Sequence, residues 1–313
     1  MLEGVILLWF LEVALAVAFV AWDIRRTPES TVMKWGFIVV TAYSGLFGAL
    51  LYTLACREPL PGTHEAYVAH RWRQVVGSTM HCVAGDGIGI LVAAATLAPL
   101  HLPTIVDLVA EYAVGFAFGW TIFQALFMRG MVGGSYTRSL RNTFLPELLS
   151  MNGVMAAMAA VSVPWKGALA AATRPSSPDF WFVMSIALCA GFLVAYPINW
   201  WLVVRGLKHG MTTIMPDGEV PSLAAGLALA GAALAHGAHS GHDMEVDDGM
   251  SRSKPHAAVS ALQSHAMSAM SPDHHHQAIT PRRELAAMVG VSFAILAAGV
   301  AAAAALSGHL LGA

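Results

Sequence analysis

Three side chains that can bind metals or protons lie close together in a segment that is otherwise soluble in hydrocarbon. The stretch MHCVAGDGIG contains His81, Cys82 and Asp86, separated by small residues. Imidazole suits Zn, Cu and Ni, and thiolate favours Cu(I). Helical spacing puts Cys82 and Asp86 on one face, and His81 with Gly85 and Gly89 on another. An ionisable side chain at such depth in a membrane indicates a candidate functional site.

A second row of possible ligands follows in the stretch ELLSMNGVMAAM. Glu147, Met151, Met155 and Met158 fall on one side of a helix there. A carboxylate followed by thioethers could line a path for a soft cation. The alternative is a methionine-packed core with one buried acid, because Met is a common gap-filler. We take Glu147 and Met151 as candidate partners of the first stretch.

A tract rich in histidine and methionine lies near the end of the chain. Eight of the fourteen histidines lie between residues 236 and 276, with four methionines among them. Imidazole with thioether sulfur favours copper. The alternative is a solvated linker that happens to be rich in histidine. The candidate ligands are His236, His239, His242, Met244, His274, His275 and His276.

The elements that must position these residues are membrane helices. The chain is 57% hydrophobic and 12% charged, with a mean hydropathy of +0.61, whereas soluble domains carry roughly 25% charged residues. A span needs about 20 mostly apolar residues. The sequence predicts an all-α, polytopic transmembrane helix bundle of seven spans, or eight if Leu223–Ala235 also crosses. The seven are Val5–Trp22, Met33–Cys56, Ser78–Leu100, Ile105–Phe127, Leu145–Val163, Phe180–Val204 and Leu285–Leu306.

The composition divides the chain into four parts. Residues 1–76 form a helix pair and loop, and residues 77–211 form a four-helix membrane core. Residues 212–283 form a His/Met-rich connection that we expect to be disordered, and residues 284–313 form a last transmembrane helix. Lysine and arginine are richer in the loops after spans two, four and six, which predicts a cytoplasmic N-terminus. The basic stretch DIRR directly after span one opposes this orientation.

Several residues are predicted to shape the bundle. Gly85 and Gly89 allow a second helix to approach closely, and the glycine stripe above Glu111 in the next span offers a matching face. Glu111 would then face the bundle interior, as would His81. Pro197 removes a backbone donor and predicts a kink, and Asn199 beside it can pair with a neighbouring helix.

Part of the chain resembles a known family. The residues that carry the resemblance are HC-x-x-G-x-x-x-G from His81 to Gly89, GFAFGW, ELLSMN and the ending AYPINWWLV…GLKHGM. They resemble a bacterial membrane family known only as a domain of unknown function (number four-three-nine-six), over about residues 75–211. The resemblance implies an integral membrane protein and no established activity. Asp86 stands where the resemblance leads one to expect a small residue or cysteine.

The leading hypothesis is a non-enzymatic protein of the bacterial inner membrane that binds or moves a transition metal, with copper favoured. The alternatives are a haem-binding or redox membrane subunit, with His81 as axial ligand, and a structural or assembly protein without a bound metal. The expected partners are the lipid bilayer, a metal ion, and a second copy or a membrane-complex subunit. The net charge of −2 indicates no nucleic-acid partner, and no GxxxxGK[ST] stretch for ATP is present.

Overall fold

The computed structural model describes residues 2–60, 62–126, 135–211 and 280–307, and these residues are helical with no β-strand among them. Six of their helical segments are long and apolar enough to cross a membrane. These segments are Leu2–Arg26, Arg71–Leu100, Thr104–Gln124, Tyr136–Ala168, Pro178–Val204 and Arg282–Ser307. The eighth candidate span, residues 223–235, and the His/Met-rich tract lie outside the described residues. The protein is therefore a multi-pass helical membrane protein.

We number the α-helices in chain order. They are α1 Leu2–Asp23, α2 Thr31–Ser44, α3 Leu46–Ala55, α4 His64–Val68, α5 Arg71–Leu97, α6 Thr104–Phe118, α7 Tyr136–Ala168, α8 Pro178–Val204 and α9 Arg282–Ser307. Serine side chains begin three of them. The hydroxyls of Ser30, Ser135 and Ser177 accept from backbone N–H groups in the first turns of α2, α7 and α8, which satisfies donors that a helix start leaves open.

The segment predicted as one span over Met33–Cys56 is two helices instead. α2 and α3 meet at Gly45, whose φ of 56° and ψ of −128° are open only to a residue without a side chain. A Cβ at Gly45 would also clash with the carboxylate of Glu12 in α1. Both helices are apolar, so the mean hydropathy stays high across Gly45. It therefore cannot detect that the chain reverses direction at a single glycine.

The two ends of this α2–α3 hairpin lie together. Asp23, at the end of α1, accepts from Arg57 Nε at 2.7 Å and from Tyr52 Oη at 2.8 Å. Thr27, just before α2, hydrogen-bonds to Tyr52 at 3.0 Å. The chain therefore enters the bundle through α2 and returns through α3 to the same end.

Polar contacts join this end of the hairpin to the rest of the bundle. Arg73, at the start of α5, donates to the Leu54 carbonyl at 3.2 Å, and Gln74 donates to the Met211 carbonyl at 3.1 Å. Arg205 after α8 pairs with Glu284 of α9 at 2.6 Å. We call this side of the molecule the Lys208 end. The connection between residues 211 and 280 thus begins and finishes at the same end.

The opposite side, which we call the Lys166 end, collects the other helix termini. A cavity of about 370 Å³ there is lined by Leu97 of α5, Asp107 of α6, Lys166 of α7 and Ser307 of α9. Trp9 near the start of α1 packs on Phe182 near the start of α8, with ring centroids 5.6 Å apart.

Glycines allow α5 and α6 to approach closely. A Cβ at Gly89 would lie 2.7 Å from the Cα of Gly115, and one at Gly85 would lie 2.8 Å from the Cα of Gly119. Small residues at this spacing are typical of close helix pairs in membranes. α7 packs against both α8 and α9, so α5, α6, α7 and α8 surround the site described next.

Candidate functional site

The thiol of Cys82 is the centre of a buried polar cluster. Its Sγ lies 2.8 Å from Glu147 Oε2 and 3.2 Å from Ser150 Oγ, both on α7. The ammonium of Lys208 donates to the same sulfur at 2.7 Å and to Glu147 Oε2 at 3.0 Å. Cys82 and Glu147 have no solvent exposure, and Lys208 has 6%. The cluster therefore joins a thiol, a carboxylate and an amine away from water.

Lys208 reaches this cluster because the chain turns back after α8. Gly206 has a φ of +65°, a left-handed conformation that glycine adopts without strain. The N–H groups of Leu207 and Lys208 both donate to the Leu202 carbonyl, at 2.9 and 3.3 Å. This turn points Lys208 into the bundle instead of letting its ammonium extend to the lipid headgroups.

The neighbours of Lys208 keep it charged. Burial alone would lower its pKa, because an ammonium is poorly solvated away from water. Cys82 and Glu147 act in the opposite direction and raise the pKa of Lys208 above its ordinary value. The site therefore contains one fixed positive charge.

Asp86 lies one helical turn from Cys82 and completes a set of possible metal ligands. Cys82, Asp86 and Glu147 each offer one ligand atom, and these atoms lie within 4.8 Å of one another. Neither Asp86 oxygen has a hydrogen-bond donor among the described residues, and neither does Glu147 Oε1. One oxygen of each carboxyl group lies within 4.8 Å of the other. Buried carboxylate oxygens of this kind require a proton or a cation.

A wider helical segment brings α6 onto Asp86. Residues Gly119–Gln124 form a π-helix, which is uncommon and often found at functional sites. Because its hydrogen bonds run from residue i to residue i+5, both ends of this stretch face the same neighbour. A Cβ at Gly119 would clash with the carboxylate of Asp86, and Gln124 Nε2 lies 3.8 Å from Cys82 Sγ.

α8 supports the cluster from the other side. Asn199 donates to Ser150 Oγ at 2.8 Å and to the Ala195 carbonyl at 3.1 Å. Pro197 lies inside α8 two residues earlier. Asn199 thus fixes the hydroxyl that contacts Cys82, and it does so from a helix in which Pro197 removes a backbone donor.

The structure brings together only part of the predicted ligand set. Cys82, Asp86 and Glu147 meet, whereas His81 lies on another side of α5 with its ring 5.7 Å from that of Phe123. Met151 is fully buried, and its methyl carbon lies beside Gly115, where a Cβ would meet it at 3.0 Å. His81 is therefore not part of the Cys82–Asp86–Glu147 group.

Glu111 is buried and faces Lys166. Lys166 Nζ donates to Glu111 Oε1 at 3.4 Å, at the opposite end from Lys208. This pairing explains how a carboxylate is accommodated there without a part in the Cys82 cluster. The predicted ligands of the His/Met-rich tract, from His236 to His276, lie outside the described residues.

Sequence reasoning missed Lys208, Ser150 and Gln124 as members of the site. A lysine just after a span is expected to extend its ammonium to the headgroups, so the position of Lys208 in the sequence does not predict that its side chain turns inward. The available signal was Gly206, two residues earlier, because a glycine after a helix often reverses the chain. No periodicity identifies Ser150 or Gln124, since both are ordinary polar residues within helices.

Comparisons with known proteins place this site within a segment that a family model matches. Residues 71–208 match the family model described as Domain of unknown function (DUF4396), which confirms the resemblance for fewer than half of the 313 residues. The match begins at the start of α5 and ends on Lys208, so it contains the whole cluster. No curated protein matches the chain, and no solved structure matches it.

Proposed function

We propose that this protein binds and moves a transition-metal cation through the cluster of Cys82, Asp86 and Glu147. The observation that carries the proposal is a thiol and two carboxyl groups, buried together, with three carboxylate oxygens that have no hydrogen-bond donor in the described part of the chain. Three ligand atoms within 4.8 Å can close on a cation with side-chain movements of about 1 Å, since metal–ligand bonds are roughly 2.0–2.3 Å long.

Charge neutrality specifies the resting state of the site. A net charge buried away from water costs several kcal/mol, so we require the cluster to be neutral overall. Lys208 contributes +1, and the hydrogen bond that Cys82 donates to Glu147 is that of a neutral thiol. Asp86 and Glu147 must then hold one proton between them. A bound cation replaces protons, and the ammonium of Lys208 continues to offset the negative charge of one anionic ligand.

The charge of the cation fixes how many protons leave. A monovalent cation bound to the Cys82 thiolate requires the loss of one proton, and a divalent cation requires the loss of two. Thiolate favours Cu(I), and the buried Met151, one helical turn after Glu147 on α7, is a further soft group, whereas carboxylates favour harder ions. We propose copper as the ion because the His/Met-rich tract provides neutral ligands that suit it.

Proton release during anaerobic titration with Cu(I) tests this function. At pH 8 the histidines and methionines of the tract carry no proton to lose, so binding there releases none. We expect Cys82→Ser to release one proton fewer per protein and to bind about one ion fewer. Asp86→Asn should weaken binding, and Cys189→Ser, at a half-buried cysteine of α8, should change neither quantity. Equal copper content in wild type and Cys82→Ser would contradict the proposal.

A proton-binding site is the second candidate function, and the burial of two carboxyl groups with oxygens within 4.8 Å of each other favours it. In that case the cluster would exchange protons with no change in metal content. Elemental analysis of the purified protein separates the two functions. A Soret band in the same sample would support the haem alternative instead.

The distribution of basic residues supports an orientation in a bacterial cell membrane. Among the described residues, twelve of the fourteen lysines and arginines belong to the Lys208 end, and only Lys166 and Arg174 belong to the other. Basic residues accumulate on the cytoplasmic side, so the Lys208 end is cytoplasmic in this proposal. The N-terminus is then on the outer side, the reverse of the orientation expected from seven spans, because the α2–α3 hairpin does not cross the membrane. The basic stretch DIRR becomes a cytoplasmic anchor in this orientation.

Labelling of introduced cysteines tests the orientation in intact cells. Glu65 is exposed at the Lys208 end, and Arg174 is exposed at the Lys166 end. A membrane-impermeant maleimide should label Arg174→Cys and leave Glu65→Cys unlabelled until the cells are opened. The reverse pattern would contradict the orientation.

A further inference from the structure

A second cluster of possible metal ligands lies outside the matched segment and outside the six long helices. It consists of Glu29 before α2, Cys56 after α3 and His64 at the start of α4. One ligand atom from each lies within 4.8 Å of the others. Their exposed fractions are 4%, 0% and 1%. Three chemically different ligands from three separate parts of the chain thus meet at the Lys208 end.

The surrounding hydrogen bonds hold the ligands in place. The Ser30 N–H donates to Glu29 Oε1 at 3.0 Å, and Glu29 Oε2 lies 3.5 Å from His64 Nε2. The backbone N–H of Cys56 donates to Tyr52, whose hydroxyl is bound by Asp23 and Thr27. Glu29 and Cys56 are therefore positioned by contacts that leave Glu29 Oε2 and the Cys56 thiol for other partners.

His64 provides the observation that points to a ligand. Its side chain is 1% exposed, and neither ring nitrogen has a hydrogen bond to the residues that the structure describes. At 3.5 Å, Nε2 and Glu29 Oε2 are an electrostatic pair without a well-formed hydrogen bond. Buried polar groups without partners are costly, and a metal bound to Nε2 would remove that cost.

The combination of thiolate, imidazole and carboxylate is the one that zinc uses in proteins. Zinc bonds of roughly 2.0–2.3 Å in a tetrahedron place ligand atoms about 3.3–3.8 Å apart. The present spread of up to 4.8 Å thus contracts by about 1 Å on binding. Three protein ligands leave the fourth position to water or another ligand.

We propose that Glu29, Cys56 and His64 form a second metal site, which binds Zn²⁺ and closes the two ends of the α2–α3 hairpin. This site is independent of the Cys82 cluster, which belongs to α5 and α7. It joins the chain before α2 to the chain after α3, so bound zinc acts as a link across the base of the hairpin.

The test uses Co²⁺ as a spectroscopic substitute for zinc on the full-length protein. A cysteine ligand gives a thiolate-to-cobalt charge-transfer band in the near ultraviolet. The chain has three cysteines, and the His/Met-rich tract contains none of them, so the band reports only on cysteine sites. We expect the band to disappear in Cys56→Ser and to persist in Cys189→Ser. One equivalent of Zn²⁺ should abolish it in the wild type.

Two further variants separate ligand loss from misfolding. His64→Gln should weaken Co²⁺ binding at this band by at least about 10-fold, because even the loss of an outer-shell partner costs 10–100-fold. His70→Gln, at an exposed histidine six residues later, is the matched control and should bind as the wild type does. Far-ultraviolet circular dichroism and gel filtration establish that each variant is folded.

The outcomes distinguish this site from the one in the membrane core. A band that survives in Cys56→Ser but is lost in Cys82→Ser would assign the cobalt to the core site and overturn the present proposal. The absence of any thiolate band in the wild type would overturn it as well. A band that is lost in Cys56→Ser and retained in Cys82→Ser would support the proposal, whether or not Cys82 binds copper.

Discussion

The pairing of Lys208 with Glu147 gives the most direct energetic prediction. Replacing Lys208 with methionine keeps the volume of the side chain and removes its charge. Glu147 is fully buried, and its Oε2 then loses an ammonium 3.0 Å away. Breaking a buried ion pair by removal of one partner costs about 3–5 kcal/mol. We expect Lys208→Met to lower the free energy of unfolding by that amount.

A double-mutant cycle isolates the interaction. Glu147→Gln removes the charge that Lys208 compensates, and the single variant should also be destabilised by about 3 kcal/mol because the ammonium is left buried. The double variant contains neither charge, so its loss should be smaller than the sum of the two single losses. A coupling free energy of about 2–3 kcal/mol is expected, within the range for residues in direct contact.

The assay is reversible unfolding in mixed detergent micelles, followed by circular dichroism as the denaturing detergent is increased. Arg205→Met is the matched control, because Arg205 forms a 2.6 Å ion pair with Glu284 in which both side chains are about 40% exposed. Exposed pairs contribute about 0–1 kcal/mol, so this variant should unfold nearly as the wild type does. A Lys208→Met variant within 1 kcal/mol of the wild type would refute the buried-pair interpretation.

Three further predictions use other parts of the molecule. Gly89→Ala should destabilise the bundle by about 1–3 kcal/mol, because its Cβ would lie 2.7 Å from Gly115 Cα. Gly290→Ala, at a position with open space around it, should instead stabilise α9 by about 0.4–1 kcal/mol. Equal shifts of the melting temperature in the two variants would contradict this prediction. Burial lowers the pKa of His209 below 6.5, so its contribution to stability is present above pH 6.5 and is lost as the pH falls below that value. His209→Gln should flatten this part of the profile of stability against pH, and an unchanged profile would show that His209 does not contribute to it. Deleting residues 236–276 should lower the bound copper and leave the melting temperature unchanged, because the described residues on both sides of that connection already lie at the same end of the bundle. A large fall in melting temperature would show that the tract supports the bundle.

The sequence was sufficient for the parts of the fold that depend on hydrophobic length and on spacing. Six long apolar helices follow from composition alone. Helical periodicity correctly put Cys82 and Asp86 on one side of α5. These inferences succeed because helix geometry relates residues three and four apart wherever the helix lies.

The missing parts depend on single backbone conformations and on contacts between distant residues. Gly45 reverses α2 into α3, but glycines are common in membrane helices and most of them do not end a helix. His81 precedes Cys82 directly, so a contiguous pair suggested a shared site, although adjacent residues on a helix point about 100° apart. Helical periodicity shows that the two side chains point in different directions. Only the position of α7 shows that Cys82, and not His81, belongs to the cluster.

The hairpin also changes how the distribution of charge is interpreted. With seven spans, Arg25 and Arg26 would face the opposite side from Arg57, and the basic residues would be divided between the two sides. The ion pair of Asp23 with Arg57 at 2.7 Å places these segments at the same end. Once they share an end, nearly all basic residues of the described chain do so too, and Lys208 becomes the one that turns inward. Its position, between a thiol and a carboxylate rather than at the headgroups, is the departure from ordinary membrane charge placement for which a function must account. A cluster whose acidic groups exchange protons, while the ammonium of Lys208 offsets one of their negative charges, is such a function.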